Sequence, residues 1–338
     1  MKKSVFLGTL SAAALFAGIA GAGTLEDVKA RGVLNCGVNV GLTGFGAPDA
    51  NGNYQGFDVA LCKALAAAVL GDATKVKYAP TTGETRFTAL ASGEVDVLIR
   101  NSTWTFSRDV DLKFDFVAVN YYDGQGFMVK KDLGVSSAKE LDGATVCIQT
   151  GTTTELNLAD FFKANNMSYT PVNVGDDTEA QRQYLAGACD AYTTDASGLA
   201  ASRATMPDAD NHIILPEIIS KEPLGPLVRH GDNVWGDVVR WTYFALVAAE
   251  EYGVTSANIE EMASTTTNPE IKRLLGTEGD LGAMLGLDKE WGKRAIAASG
   301  NYGEIFEANI GSATPIKLAR GLNALWTQGG LQYAPPFR

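Results

Sequence analysis

Between Val95 and Arg108 the chain reads VDVLIRNSTWTFSR, an apolar run that turns abruptly into a cluster of donors and hydroxyls. Val95 to Ile99 is β-branched and apolar apart from Asp96, the composition of a buried strand. In open α/β sheets ligands gather outside the carboxyl ends of the strands, so polar groups massed there constrain fold and site together. Arg108 offers a planar fork of donors that matches a carboxylate, and hydroxyls with free backbone N–H groups can complete a cradle. The same residues also fit a polar loop with Arg108 in a surface ion pair. A second segment of complementary character is needed to choose.

The flanking sequence supplies an α/β frame. Val33 to Val38 predicts a first strand, Gly41 to Gly46 a loop, and Asn51-Gly52 a turn. Gly56-Phe57-Asp58 leads into a helix with Asp58 as its cap, a stripe of Val59, Cys62, Ala66 and Val69, and Gly71 as its stop. Val76 to Ala79 is extended and Arg86 to Ser92 helical, which gives β-α-β-α-β and a mostly parallel sheet. Phe114 to Val119 then runs towards Tyr121-Tyr122-Asp123-Gly124-Gln125, where the chain leaves the first unit.

A second unit repeats the plan. Val146-Cys147-Ile148 is a short strand, and Thr152 and Glu155 have capping-box spacing after it, so a helix opens there with free N–H groups. Such a mouth attracts anions, although a plain helix cap needs no ligand. Gln181 to Ala186 reads as helix and Ala191 to Thr194 as a strand that ends at Asp195. Leu224 to Leu227 is the expected return crossing, Val234 to Tyr252 a long helix, and Asn258 to Arg338 a helical pattern ending in an irregular tail.

At 338 residues, two lobes are expected rather than one core. Lys2 and Lys3, an apolar stretch to Ala20 and the small residues Ala20-Gly21-Ala22 predict an export signal cleaved after Ala22. The net charge of −11 argues against nucleic acid and against anionic membrane surfaces as partners. Four cysteines, Cys36, Cys62, Cys147 and Cys189, fit disulfides in an oxidising compartment. With no C-x-x-C pair and only His212 and His230, neither a metal nor a cofactor is expected.

In their order these pieces resemble the periplasmic solute-binding proteins for polar amino acids, the family of the histidine, glutamine and lysine-arginine-ornithine receptors. The similarity spans Leu34 to Tyr252. It rests on Gly56-Phe57-Asp58, on Asp96 with Asn101 to Arg108, on Gly151-Thr152-Thr153, and on Asp190 with Asp195. Arg100 to Thr105, Asn120 to Phe127 and the long C-terminal region are most similar to the general L-amino-acid receptors of proteobacterial importers (glutamate, glutamine, aspartate, asparagine). The resemblance implies the type II two-lobed α/β fold, each lobe a mostly parallel sheet flanked by helices, with two hinge crossings. Residues 1–22 are then the signal, 23–122 and 227–338 lobe one, and 123–226 lobe two.

The resemblance also implies roles. Arg108 corresponds to the clamp on the ligand α-carboxylate, assisted by Thr103 and by the Thr152–Thr153 helix mouth of the other lobe. Asn101 corresponds to a backbone carbonyl for the α-ammonium and Asp195 to its counter-charge. Arg86 matches an arginine that acidic-amino-acid receptors use for the side-chain carboxylate, and it could instead pair with Glu84 or Asp58. Two features depart from the family: the stacking aromatic is replaced near Gly83, leaving space for water, and the first-loop tyrosine is replaced by Leu42. Asp177 stands where acidic receptors carry a side-chain-sensing histidine. The implied partners are an L-amino acid and the permease subunits of an ABC importer, with the chain itself a monomer. An exported dehydratase or lyase on the same fold, with Glu84 or Asp177 as its base, and a receptor serving a sensor remain as alternatives. Disulfides within lobes, Cys36–Cys62 and Cys147–Cys189, would leave the hinge free.

Overall fold

The structure, a computed structural model, describes residues 23–338, so the export signal expected over 1–22 lies outside the described residues. Lobe one begins with α1 (Thr24–Arg31), β1 (Leu34–Asn39) and a hairpin of β2 (Ala47–Pro48) and β3 (Tyr54–Gln55). Helix α2 (Phe57–Leu70) follows, then β4 (Val76–Thr81), α3 (Arg86–Ala91), β5 (Val97–Leu98) and β6 (Phe114–Phe116). The alanine- and leucine-rich sequence of α2 favours helix and is buried along most of its length. Gly71 stops it in the left-handed conformation, with its N–H on the Ala67 carbonyl. Asp58 is not its cap. Gly56 holds that place, at φ 133° and so close to the chain that a Cβ would sit 2.3 Å from the Phe45 carbonyl oxygen. Asp58 lies inside the first turn, buried, and accepts hydrogen bonds from the Asn101 N–H (3.0 Å) and Asn120 Nδ2 (3.2 Å).

The chain crosses to lobe two through β7 (Tyr121–Asp123). There it forms β8 (Gln125–Lys130), β9 (Thr145–Gln149), α4 (Thr153–Ala164), β10 (Thr170–Val174), α5 (Asp177–Leu185), β11 (Ala191–Asp195), α6 (Ala196–Thr205) and β12 (His212–Ile214). It returns through β13 (Glu222–Leu224), which pairs antiparallel with β7 so that Glu222 faces Asp123. Strand β14 (Leu227–Arg229) and α7 (Asn233–Glu251) then rejoin lobe one.

The two sheets have matching logic. Their orders are β4-β1-β5-β14-β6 and β10-β9-β11-β8-β12. Only β14 in the first and β8 in the second run against their neighbours. Each is the strand that follows a crossing. A chain arriving from the cleft side must run away from the cleft, whereas every other strand points its carboxyl end towards it. The mostly parallel sheets expected from the sequence are therefore present, with one reversed strand per lobe fixed by the crossings.

Helices α8 (Ile259–Thr265), α9 (Pro269–Leu274), α10 (Leu281–Met284), α11 (Trp291–Ser299) and α12 (Tyr302–Asn309) close lobe one. Arg294 Nε reaches the Ala67 carbonyl (3.3 Å) and Ser299 Oγ the Ala60 carbonyl (2.9 Å), which lays α11 along α2. The helical pattern expected as far as Arg338 ends at Asn309; beyond it only two short 3₁₀ turns occur. Helix α12 and the irregular residues beyond it brace the crossing. Asn323 bonds both the N–H (2.7 Å) and the carbonyl (3.1 Å) of Tyr122, and the Tyr302 hydroxyl bonds the Asn120 carbonyl (2.9 Å). The tail is docked rather than loose: Phe337 is buried beside Trp241 and Trp291, with ring centroids 5.1 and 6.3 Å away. Cys36–Cys62 staples β1 to α2 in lobe one, and Cys147–Cys189 joins β9 to the residue before Asp190 in lobe two. No disulfide crosses the hinge among the described residues.

Candidate ligand-binding cleft

Because the parallel strands all end at the cleft, the residues just past them meet there. Asn39 closes β1, Thr81 closes β4, and Arg100 to Thr103 follow β5. From lobe two come Gln149 at the end of β9, Asp177 after β10, and Asp195 at the end of β11. Arg86, Asn101, Thr103, Thr152, Thr153 and Asp195, singled out from the sequence, line one cavity, joined by Arg100 and Gln149. Arg108 and Asp177 stand outside that lining. Asp190 is not in the cleft; its carboxylate accepts from the N–H and hydroxyl of Thr145 and ties β11 to β9.

The lobes touch across the cleft. Asn39 Nδ2 donates to Asp177 Oδ2 (3.1 Å), and Arg86 Nη2 donates to the Gly151 carbonyl (3.2 Å). A Cβ on Gly83 would lie 2.6 Å from the Thr150 carbonyl oxygen. Gly83 thus lets the Thr150 carbonyl of lobe two approach where a side chain would stand. Asp177 also accepts from the Tyr192 hydroxyl (3.3 Å), so it acts as a cross-lobe latch. Asn101 adopts φ 31°, a left-handed conformation that asparagine tolerates better than most residues. Its side-chain Oδ1 accepts from Asn39 Nδ2 (3.1 Å).

Three guanidinium groups from lobe one are buried: Arg86, Arg100 and Arg108. None pairs with Glu84, with Asp58 or with any other carboxylate within 4.0 Å among the described residues. Arg108 donates to the Thr103 carbonyl (2.9 Å) and lies 5.0 Å over the Phe87 ring, with Arg86 4.8 Å from the same ring. Burial lowers the Arg108 pKa to about 10, against the pull of the Glu222 carboxylate. Burial also pushes Arg86 down, and its neighbours Arg100 and Arg108 push further.

Facing them, Asp195 is buried and its carboxylate accepts no hydrogen bond among the described residues, although it stands at the start of α6. Burial raises its pKa well above the usual carboxylate range, and the negative charges of Asp123, Glu222 and Asp177 raise it further. An ammonium group would relieve all of these effects.

Glu222 was not flagged from the sequence. It is 1% exposed on the hinge strand β13 and accepts from Thr103 Oγ1 (2.5 Å), Thr153 Oγ1 (2.9 Å), Asn157 Nδ2 (2.7 Å) and Ser220 Oγ (2.5 Å). A hydroxyl has one proton to give, so Thr103 and Thr153 spend theirs on Glu222 and present lone pairs elsewhere. The helix mouth still offers the N–H groups of Thr153 and Thr154, which have no partner among the described residues. At that mouth Thr152 caps the Glu155 N–H (3.3 Å), whereas the Glu155 carboxylate turns to the Gly151 N–H (3.1 Å) instead of closing a full capping box. A charged residue beside proline in a crossing strand, Glu222-Pro223, was the one signal available for this group.

Comparison with known proteins agrees with this geometry. The model of the bacterial extracellular solute-binding proteins, family 3, matches residues 34–274. A glutamate/glutamine/aspartate/asparagine-binding protein of Rhodobacter capsulatus is 76% identical over 338 residues, covering 100% of both chains. A general L-amino acid-binding periplasmic protein of Rhizobium johnstonii is 59% identical, again over 100% of both. Among solved structures, an ABC transporter periplasmic binding protein from Brucella ovis with glutathione bound superposes with a TM-score of 0.91. It is 58% identical, covering 94% of this chain and 100% of that one.

Proposed function

Since the chain belongs to family 3 of the bacterial extracellular solute-binding proteins, we propose that it captures L-amino acids in the periplasm and delivers them to the permease subunits of an ABC importer. Residues 1–22 serve as the export signal, removed after Ala22. Lobe one comprises 23–122 and 227–338 and lobe two 123–226, and the chain works as a monomer. The observation that carries this reading is the charge division of the cleft: among the described residues, three buried guanidinium groups have no carboxylate partner on one wall, and a buried carboxylate, Asp195, is unbonded on the other. A zwitterion laid across the gap neutralises both. Its α-carboxylate goes to Arg108 and the α4 mouth, and its α-ammonium to Asp195, to the Asn101 carbonyl and to the lone pairs of Thr103. Hinge closure then marks the loaded form.

Acidic and amide side chains are favoured because Arg86 faces the same cavity and an apolar side chain leaves it without an acceptor. The names of the relatives from Rhodobacter capsulatus and Rhizobium johnstonii support this range. Catalysis is not part of the proposal: Glu84 is exposed and Asp177 is held by Asn39 and Tyr192, so neither candidate base is free in the cavity. Denaturing the purified protein and reading the released small molecules by mass spectrometry, followed by calorimetry on the ligand-free protein, tests the reading. Glutamate, glutamine, aspartate and asparagine should bind tightest, apolar amino acids more weakly, and none should be turned over. Failure of every L-amino acid to bind would reject it.

A further inference from the structure

Arg100 has no role in the reading given so far. It leaves β5 at the centre of the lobe-one sheet, is 2% exposed, and lines the same cavity as Arg86 and Asp195. Its Nε donates to the Thr81 carbonyl (3.1 Å), which fixes the plane of the guanidinium. Its Nη2 is buried without a partner among the described residues, and so is the Nε of Arg86 in the same cavity. Buried donors are almost always paired, and a buried cation with neither counter-ion nor acceptor is costlier still. Two such cations side by side, both lacking a carboxylate within 4.0 Å, describe a place built for an anion or a strong acceptor that the protein itself does not supply.

One acceptor does not account for this. An α-carboxylate engages Arg108 and the α4 mouth, with Arg108 anchored on the Thr103 carbonyl and the Phe87 face. Arg86 and Arg100 lie towards the ends of β4 and β5, with Asn101 and Thr103 between them and Arg108 in sequence. We propose that Arg100 is a specificity-determining residue: with Arg86 it forms a second acceptor-binding subsite that takes the side-chain carboxylate or carboxamide of the ligand. The inference rests on the proposed reading of the cleft as an amino-acid site and names the substrate class, amino acids bearing a second carboxyl or carboxamide group. Two guanidinium groups around one group explain why the site needs no side-chain-sensing histidine: Asp177, at that position, is free to latch the lobes through Asn39.

The test compares L-glutamate, L-glutamine and L-leucine by calorimetry on the full ligand-free chain and its Arg100→Met variant, with melting curves recorded alongside. Loss of a charge-assisted hydrogen bond predicts a roughly ten- to hundredfold drop for glutamate, a smaller drop for glutamine, and a change under about threefold for leucine. Arg100→Lys, which keeps the charge and the stem, should recover part of the glutamate affinity. Equal losses for all three ligands, or an unchanged ratio of glutamate to leucine affinity, overturn the inference and leave Arg100 as a support for the Thr81 carbonyl. If Arg100→Met does not fold, the same ratio in Arg100→Lys decides, since loss of the planar fork must still lower it. A wild-type protein that binds no amino acid rejects the reading of the site itself, and this subsite with it.

Discussion

The two walls of the cleft are built to one plan and charged in opposite senses. Lobe one offers Arg86, Arg100 and Arg108 from a helix and the loop after β5; lobe two offers Asp177 and Asp195 from the ends of β10 and β11. Opposite charges on facing walls would pull the lobes shut unaided if they could meet. They do not: no guanidinium among these three comes within 4.0 Å of a carboxylate among the described residues, and the direct contacts across the gap include Arg86 on the Gly151 carbonyl, the Asn39 amide on Asp177 and the Thr103 hydroxyl on Glu222. Distance, not charge sign, therefore makes the ligand necessary. The walls attract, and on the proposed function a zwitterion fills the space between their charged ends.

Removing the cation of one wall should have the largest effect. Arg108→Ala is expected to cost about 3–5 kcal/mol, or roughly two to three and a half decades of affinity. The loss should be similar for glutamate and leucine, because the α-carboxylate is common to both; calorimetry showing a change under about tenfold would break the comparison at its strongest point.

On the opposite wall, Asp195→Asn keeps the shape and removes the charge, so a loss of about 2–3 kcal/mol in binding is expected without a fall in melting temperature. Burial and the neighbouring acids raise the Asp195 pKa, and a bound ammonium lowers it again. Binding should therefore expel protons below that raised pKa and weaken as the pH falls. Calorimetry in buffers of different ionisation enthalpy reads the protons directly, and the Asp195→Asn variant should release fewer.

A third effect concerns stability. Asp58 in lobe one and Asp123 on the crossing are both pushed by burial from 3.8 to about 6. A raised folded-state pKa gives stability that is present below the unfolded value and lost as pH rises through about 6, on the order of 2–3 kcal/mol for each group. The ligand-free protein should thus melt higher near pH 5 than near pH 7. Asp58→Asn or Asp123→Asn should shrink that difference, and a melting temperature higher near pH 7 than near pH 5 would contradict it.

The smallest effect on binding is expected from the disulfides. Replacing Cys36 and Cys62 by alanine should cost about 2–4 kcal/mol of stability. Affinity should move by less than about threefold, since neither bridge crosses the hinge. Non-reducing peptide mapping should find the same two pairs.

Much of this was legible because strand ends are legible. A β-branched run followed by polar residues fixes both a strand and its cleft end, which puts the segment from Asn101 to Arg108 and Asp195 at the cleft, whereas the individual roles of Asn101, Thr103 and Thr153 are implied by the family resemblance. Arg100 escaped notice because one residue after a strand can turn to either face, and only the Thr81 carbonyl, from a neighbouring strand, sets its direction. Glu222 is 119 residues from Thr103 and 69 from Thr153, and no local pattern announces that these three meet. The Asp58 cap failed for a different reason: Gly56 can adopt φ 133°, which starts the helix two residues earlier and sends the carboxylate inwards. The residues beyond Asn309 have helical composition, yet Asn323 satisfies backbone groups of the crossing that a continued helix would leave exposed.

That C-terminal brace bears on how the chain reaches its native state. Lobe two is one continuous stretch in which β9 pairs with β10 and β11 of the same stretch. Lobe one brings together residues far apart: Thr24 bonds Asp232, Arg294 bonds Ala67, and Asn323 bonds Tyr122, separations of 208, 227 and 201 residues. Contacts of long range are slow to form, since loop-closure entropy must be met before they reward the chain. Lobe two is therefore expected to acquire structure first, and lobe one to complete its core only when helices α11 and α12 and the segment beyond them are present. Pulse-labelled hydrogen exchange should show β9 and β11 protected before β1. Chains interrupted before Trp291 should leave α2 with its Ala60–Ala67 face uncovered, an apolar surface that a folding catalyst or a protease would meet before any amino acid does.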